Sequence, residues 1–353
     1  MIRAAIVAVA LAAAPNAWAN AAVEAELAAI GKPAAVFVIG DGPDQGYAEG
    51  LADPATGREL TVDTPVRIAS NTKTFTAAAV LRLWEQGRIE LDAPIGGLIN
   101  PRLDRILRAD GYDTKTITVR HLLSHSGGLY DHGGDKRFVE SLMTNPGKVW
   151  TREALVRLAT DYADPQSKPG TEFRYSDTGY ILLGDIVERI TGKTLATSVR
   201  TLLKLDALGL GATWWEIYEA PPKGAEGRAR QFIGDTDVTA VDPSMDLFGG
   251  GGQLMSARDL ATFFKALFEG RVFDKPGTLK EMLWKGPHRN ADTYRLGIFV
   301  QHTPQGERYW HSGFWGTYAA YAPASRIALG AVTTKQGTKP LMPLIGKLMR
   351  QTP

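Results

Sequence analysis

The chain has 353 residues, 44% hydrophobic and 22% charged, enough to bury a substantial core as one large domain or two closely packed lobes. Its 40 basic and 38 acidic residues leave a net charge of +2, so no basic field draws in nucleic acid or an anionic membrane. There is no cysteine, which excludes disulfides, cysteine nucleophiles and thiolate zinc sites and leaves serine, carboxylates, histidine, lysine and tyrosine to carry any chemistry.

The opening "MIRAAIVAVALAAAPNAWAN" places one arginine before a short apolar run and closes with the small-x-small pattern Ala17-Trp18-Ala19. Export requires that order, so a signal peptide is expected over residues 1–19, with the mature chain periplasmic or secreted. No later run is long and apolar enough for a membrane helix. "AAVEAELAAI" has helical spacing, and "PAAVFVIGDGPDQGYAEGLAD" reads as two strands about a Gly/Pro/Asp turn. The middle of the chain is mostly helical: "NTKTFTAAAVLRLWEQG", "TREALVRLATDY", "TGYILLGDIVERITG" and "SARDLATFFKALFEG", each stopped by glycine or a turn cluster. "YRLGIFVQHTPQGERYWHSGFWGTYAAYAPASRIALGAVTTKQ" then gives three or four strands, and "PLMPLIGKLMRQ" a closing helix. Strand-forming ends around a helical middle predict an α+β fold. An antiparallel sheet comes from both chain ends (about 20–75 and 285–353), flanked by helices, with a mostly helical lobe inserted (about 76–284).

Three stretches could carry chemistry. In "RIASNTKTF", Ser70 and Lys73 lie one turn apart at the start of a helix, so the amine can point at the hydroxyl. Taken alone, the pair reads first as a capping serine with a solvated lysine and only second as a catalytic pair. In "FRYSDTGYILL", Tyr175 and Asp177 enter a helix two residues apart and can face one cavity, although a packed aromatic and a helix cap would look the same. In "YWHSGFWGTYAAY", read as one strand, Gly313 and Gly316 suggest that something approaches the backbone closely, and a substrate alongside would leave the Phe314 N–H free as an oxyanion donor. A competing pattern is His121 and His125, with the i, i+4 spacing of a helical zinc pair, near His132 and Asp135. Leu122 stands where a zinc hydrolase needs its glutamate, and Ser126-Gly127-Gly128 would end the helix at once. The run Gly249–Gly252 lacks the Lys-Ser/Thr of a phosphate loop and suggests close backbone packing instead.

Together, Ser70-x-x-Lys73, Tyr175-x-Asp177 and His311-Ser312-Gly313 resemble the three motifs of the serine β-lactamase and penicillin-recognising superfamily. The tyrosine-type second motif is similar to the branch holding class C β-lactamases, D-alanyl-D-alanine carboxypeptidases, D-aminopeptidases and esterases. "VRHLLSHSGGL" and "GGGGQLMSARDLATFFKAL" are similar to segments of that branch. The resemblance implies the β-lactamase/transpeptidase-like fold and an acyl-enzyme hydrolase of β-lactams, D-amino-acid peptides or esters. It implies a small-molecule or peptide substrate, no cofactor and no metal. Ser70 would be the nucleophile, Lys73 its activator and Tyr175 the proton shuttle. The N–H groups of Ser70 and Phe314 would form the oxyanion hole, and Asp177 and His311-Ser312-Gly313 would contact substrate. The alternative within the resemblance is a penicillin-binding relative that stays acylated. Two departures stand out. Asp177 replaces a common asparagine, so it would pair with Lys73 or hold a cationic substrate group. His311 replaces a lysine near the substrate carboxylate or leaving group and is neutral unless a partner raises its pKa.

Overall fold

A computed structural model describes residues 17–350, so the expected leader lies, up to residue 16, outside the described residues. The central sheet has six antiparallel strands, β1 (Ala34–Ile39), β2 (Gln45–Glu49), β3 (Phe299–Thr303), β4 (Gly306–Gly313), β5 (Thr317–Ala322) and β6 (Ile327–Thr333), in the order β3-β4-β5-β6-β1-β2. The two chain ends meet where β1 pairs with β6, Ala34 opposite Thr333 and Ile39 opposite Ala328. The "AAVFVI" run of β1 is apolar throughout because both faces are covered. Val36 and Val38 pack with Val23 and Leu27 of α1 (Ala17–Ala29) and with the closing helix Met342–Leu348, whereas Ala35 and Phe37 face the main core. The helix Ala257–Phe268 lies on that second face against β1 and β6.

Between the sheet-forming ends lie most of the helices. The central one, α2 (Thr72–Glu85), is buried on nearly every side and packs against α3 (Asp177–Thr191). A helix with no solvent face belongs to the interior of the molecule, and Lys73 is inside with it. α3 ends on Gly192, left-handed at φ 69°. A small sheet absent from the sequence reading joins Val66–Arg67, Gln253–Met255 and Trp214–Trp215 and fixes the approach to α2. Two- and three-residue strands carry no readable period.

The segment read as one strand across 309–321 is two, β4 and β5, folded back at a tight turn with Gly316 at φ +100°. Phe314 therefore sits in the turn rather than on a strand. The glycine signal also has another cause than the one inferred. A Cβ on Gly313 would collide with the Ile68 carbonyl and Thr317 Oγ1, so the close neighbour is the chain's own backbone beside Ser70 and not a ligand.

Candidate active site

The chain reaches α2 through a single turn of 3-10 helix, Ala69–Asn71. Ala69 has φ +45°, a left-handed conformation that a non-glycine residue adopts at a cost of about 1–2 kcal/mol. This strained step turns Ser70 into a cavity of about 330 Å³, which is also lined by Tyr175, Asp177, His311, Ser312 and Phe314. The turn is tied to the sheet from two sides. Thr317 Oγ1 donates to the Ile68 carbonyl at 2.9 Å. The Asn71 amide, oriented by its hydrogen-bond partners, donates to the His311 carbonyl at 3.0 Å and accepts from the Gly313 N–H at 3.2 Å.

Lys73, one helical turn behind Ser70, is fully buried. Its Nζ lies 2.8 Å from Ser70 Oγ, 3.0 Å from the Gly250 carbonyl and 2.5 Å from Asp177 Oδ1, three acceptors for the three protons of an ammonium. Burial alone would lower its pKa, but Asp177, with help from Tyr175 and Asp246, holds the amine above its ordinary range. Burial raises the Asp177 carboxyl and Lys73 pulls it down, with a net shift downward. Burial pushes the Tyr175 phenol upward while Lys73 opposes it, and the hydroxyl interacts with both Lys73 and Ser70. At neutral pH the centre is therefore ammonium, carboxylate and phenol.

Tyr175 is bracketed by His125. The His125 carbonyl accepts from the N–H of Arg174 at 2.7 Å, its Nδ1 accepts from the N–H of Ser176 at 3.1 Å, and its ring lies 4.2 Å from the Tyr175 ring. Its φ of +53° is again left-handed. Burial, with Lys73 nearby, holds it well below the usual histidine range, so the ring is neutral and its Nε2 proton has no partner. The zinc-pair reading fails on this geometry. His121 belongs to the short helix Val119–Leu123, where its Nδ1 accepts from the Thr118 N–H at 3.2 Å, and His125 lies beyond that helix's end. Asp135 caps the helix Lys136–Thr144, and His132 Nδ1 bonds Thr178 Oγ1 at 2.9 Å. Among the described residues no group of three or more histidine or carboxylate side chains is placed to hold a metal.

His311 is buried on β4, its Nδ1 2.9 Å from the Ser312 carbonyl and its Nε2 3.0 Å from the Tyr294 hydroxyl. The first contact makes Nδ1 the protonated nitrogen and Nε2 the acceptor. Burial lowers its pKa to about 3, with Lys73 adding to the effect. It is thus a neutral, already engaged ring rather than a cation awaiting a substrate carboxylate.

No hydrogen bond to another described residue engages the backbone N–H of Ser70 or of Phe314. Both residues line the cavity, as an oxyanion hole requires. Several neighbours escaped the sequence reading. The Gly250 carbonyl and Asp246 come from "PSMDLFGGGG", where the glycine run does serve close packing, since a Cβ on Gly249 would strike the Tyr180 carbonyl. Asp131 accepts from the Asp177 N–H at 2.9 Å and stands in for the missing cap of α3. Only the glycine run beside an acid hinted at any of these.

Comparison with known proteins gives one coherent group. The Beta-lactamase family matches residues 19–352. The curated relatives include Esterase EstB of Burkholderia gladioli, 36% identical over 174 residues, which covers 44% of this chain and 40% of that protein. Penicillin-binding protein 4* of Bacillus subtilis is 28% identical over 291 residues, 77% of this chain and 60% of that one. The chain thus spans about half the length of these relatives. Among solved structures, a D-stereospecific amidohydrolase from Streptomyces sp. superposes with a TM-score of 0.76 at 26% identity, covering 92% of this chain and 97% of the other. A D-amino acid amidase from Ochrobactrum anthropi SV3 gives 0.73 at 26% identity, covering 90% and 92%.

Proposed function

The chain belongs to the beta-lactamase family, and we propose that it is a serine hydrolase that opens amide or ester bonds through an acyl group carried on Ser70. The observation that carries this reading is the buried Lys73 ammonium 2.8 Å from Ser70 Oγ, behind a cavity lined by Ser70 and Phe314, whose backbone N–H groups no described residue engages.

A protonated Lys73 cannot take the serine proton. Its service is electrostatic: it holds Ser70 Oγ and stabilises negative charge developing on the Tyr175 oxygen. Tyr175 then receives the Ser70 proton as its own passes to the leaving nitrogen or oxygen. The Ser70 Oγ to carbonyl-carbon bond forms first and the bond to the leaving group breaks afterwards, and no net proton is taken up. The carbonyl oxygen becomes an oxyanion facing the N–H groups of Ser70 and Phe314, and it collapses when the leaving group departs. In the second half-reaction Tyr175 receives a proton from the attacking water as its own passes to Ser70 Oγ, so the ester bond breaks, the acid product leaves and Ser70 is restored. His125 holds Tyr175 on the face that both half-reactions need.

The test is hydrolysis of p-nitrophenyl butyrate, nitrocefin and D-alanine p-nitroanilide by wild type and by Ser70→Ala, with mass spectrometry of the trapped enzyme. Hydrolysis lost in Ser70→Ala, and an acyl adduct on the Ser70 peptide, are expected. Turnover that survives the substitution sinks the assignment. A stable adduct from a fluorescent penicillin, without turnover of any substrate, would replace it with a penicillin-binding role.

We also propose export, supported by the sequence of residues 1–19, where a charge, an apolar run and a small-x-small pattern follow one another, and by a family match that begins at residue 19. N-terminal sequencing of protein recovered from the periplasm or medium would find the mature chain starting near Asn20. The division into a sheet lobe (about 20–75 and 285–353) and a helical lobe (about 76–284) belongs to the same reading. Among the described residues no helix is long and apolar enough to cross a membrane.

A further inference from the structure

A second cavity, about 330 Å³, lies at the end of β4 far from Ser70. It is enclosed by the turn that joins β3 to β4, the turn that joins β5 to β6, and Met349 and Arg350 after the closing helix. Arg308 of β4 forms part of its wall and is only 8% exposed. No carboxylate among the described residues pairs with this buried guanidinium. Its Nη1 lies 3.5 Å from Gln301 Oε1, a long contact to a neutral amide. Its other polar neighbour, the Tyr318 phenol, is held neutral by burial, which raises its pKa against the opposing Arg308 charge. The two carboxylates of the lining are engaged elsewhere. Asp41 meets Arg326 at 3.4 Å, and Glu307 meets Arg295 at 3.4 Å and accepts from the Tyr309 hydroxyl.

What Arg308 leaves unused has a definite shape. A guanidinium presents Nε–H and one Nη–H side by side, an edge that matches two oxygens of a single anion. Other arginines of this chain spend that edge on an internal carboxylate. Arg67 donates from Nε and Nη2 to Glu216 at 2.7 and 3.0 Å, Arg120 to Asp92 at 2.7 and 3.0 Å, and Arg258 to Asp63 at 2.6 and 3.1 Å. In Arg308 the Nε corner of the edge is buried and meets no acceptor. Independently, Ser325 Oγ in the β5–β6 turn is buried without a partner, and Ser325 lines the same cavity. A buried cation with no counter-ion is strongly destabilising, and both orphaned groups are of the kind that an anion satisfies.

We propose that this cavity binds an oxyanion, a carboxylate or phosphate group held by two oxygens on the Arg308 edge with Ser325 Oγ as a further donor. Arg350, exposed beside it, adds positive potential. Ala322 and Met349, which belong to the apolar core under the closing helix, give the cavity a floor that suits a short aliphatic tail on the anion. The site is separate from the nucleophile. It shares no lining residue with the Ser70 cavity, and it stands whether or not Ser70 carries an acyl group.

The test is isothermal titration calorimetry of the whole protein with sodium butyrate and with sodium phosphate, at an ionic strength held constant with sodium chloride. Saturable binding of one or both is expected. Butyrate alone assigns the site to a carboxylate, and phosphate alone assigns it to a phosphate group. Arg308→Met should weaken the binding at least about tenfold, because it removes the charged fork and keeps the length of the side chain. Lys285→Gln, which removes an exposed cation elsewhere, should leave it unchanged. Ala324→Trp fills the cavity from its exposed turn without touching the charge and should weaken binding as much, so the inference can still fail if Arg308→Met does not fold. Absence of saturable binding of both anions to wild type overturns the inference. Affinity equal to wild type in Arg308→Met or in Ala324→Trp overturns it too, by placing the anion elsewhere.

Discussion

Asp177→Asn tests where the proton goes during acylation. The substitution keeps size and removes the charge 2.5 Å from the Lys73 nitrogen. At an effective dielectric of about 20, two unit charges at that separation attract by about 7 kcal/mol. The Asp177 side chain is 22% exposed, so solvent screens it, and Asp246 remains to hold part of the lysine's charge. A net loss of about 3 kcal/mol is the fair expectation, which is ~2 pKa units. The sign follows directly: removing an anion favours the neutral amine, so the pKa of Lys73 falls from its raised position. If Lys73 serves as a cation beside a Tyr175 relay, the alkaline limb of kcat/KM for p-nitrophenyl butyrate should move down by ~2 pH units. A neutral ester keeps substrate charge out of the comparison, and Ser70→Ala supplies the background rate. A variant that instead gains activity at neutral pH, with its acid limb shifted downward, would refute this reasoning and make Lys73 the base. An unmoved profile would show that Asp177 does not set the lysine's charge.

Asp246→Asn should stabilise the fold at neutral pH. The folded carboxyl is raised to about 8 from an ordinary 3.8, so its stability contribution is full below 3.8 and is lost as pH rises toward 8. The gain in urea unfolding should reach up to about 4 kcal/mol at pH 7 and vanish near pH 4, and a gain independent of pH would contradict the buried charge. His125→Phe keeps an aromatic ring but removes the acceptor for the Ser176 N–H. It should lower kcat about tenfold or more with KM nearly unchanged, and an unaltered kcat would mean that Tyr175 needs no bracket. Gly313→Ala, forced against Ile68 and Thr317, should cost about 3 kcal/mol or leave the protein insoluble. A soluble variant with the wild-type melting temperature would show that β4 can move away from the nucleophile turn.

The parts of this molecule that repeat with a short period were open to reading from its sequence. α2 and the strands of both ends follow apolar spacing, and Ser70 with Lys73, Tyr175 with Asp177, and His311 each come from a local pattern. Ser70, Tyr175, Asp177 and His311 do meet in one cavity, with Lys73 buried behind them. What escaped reading depends on contacts between distant segments. Asp246 and Asp131 look like loop acids until the fold brings them beside Asp177. His125 looks like half of a metal pair until its carbonyl and ring nitrogen are seen on either side of Tyr175. Gly313 announced a close approach without naming the neighbour, because a glycine shows that space is short and not what fills it. The left-handed turn at Ala69 left no trace, since alanine gives no sign of strain.

The meeting of β1 with β6 bears on the order in which the molecule can be assembled during synthesis. Until Thr333 has been made, β1 has only β2 to pair with, and a lone hairpin in water is marginal at best. The Ile68 carbonyl, two residues before the nucleophile, likewise waits for Thr317. Roughly three hundred residues separate the paired strands, and such distant pairings fold slowly. A chain interrupted between Tyr175 and β6 would therefore carry Ser70, Lys73 and Tyr175 in full and still lack the pairing that completes their cavity. On this topology the site is complete only once the last strand has been made.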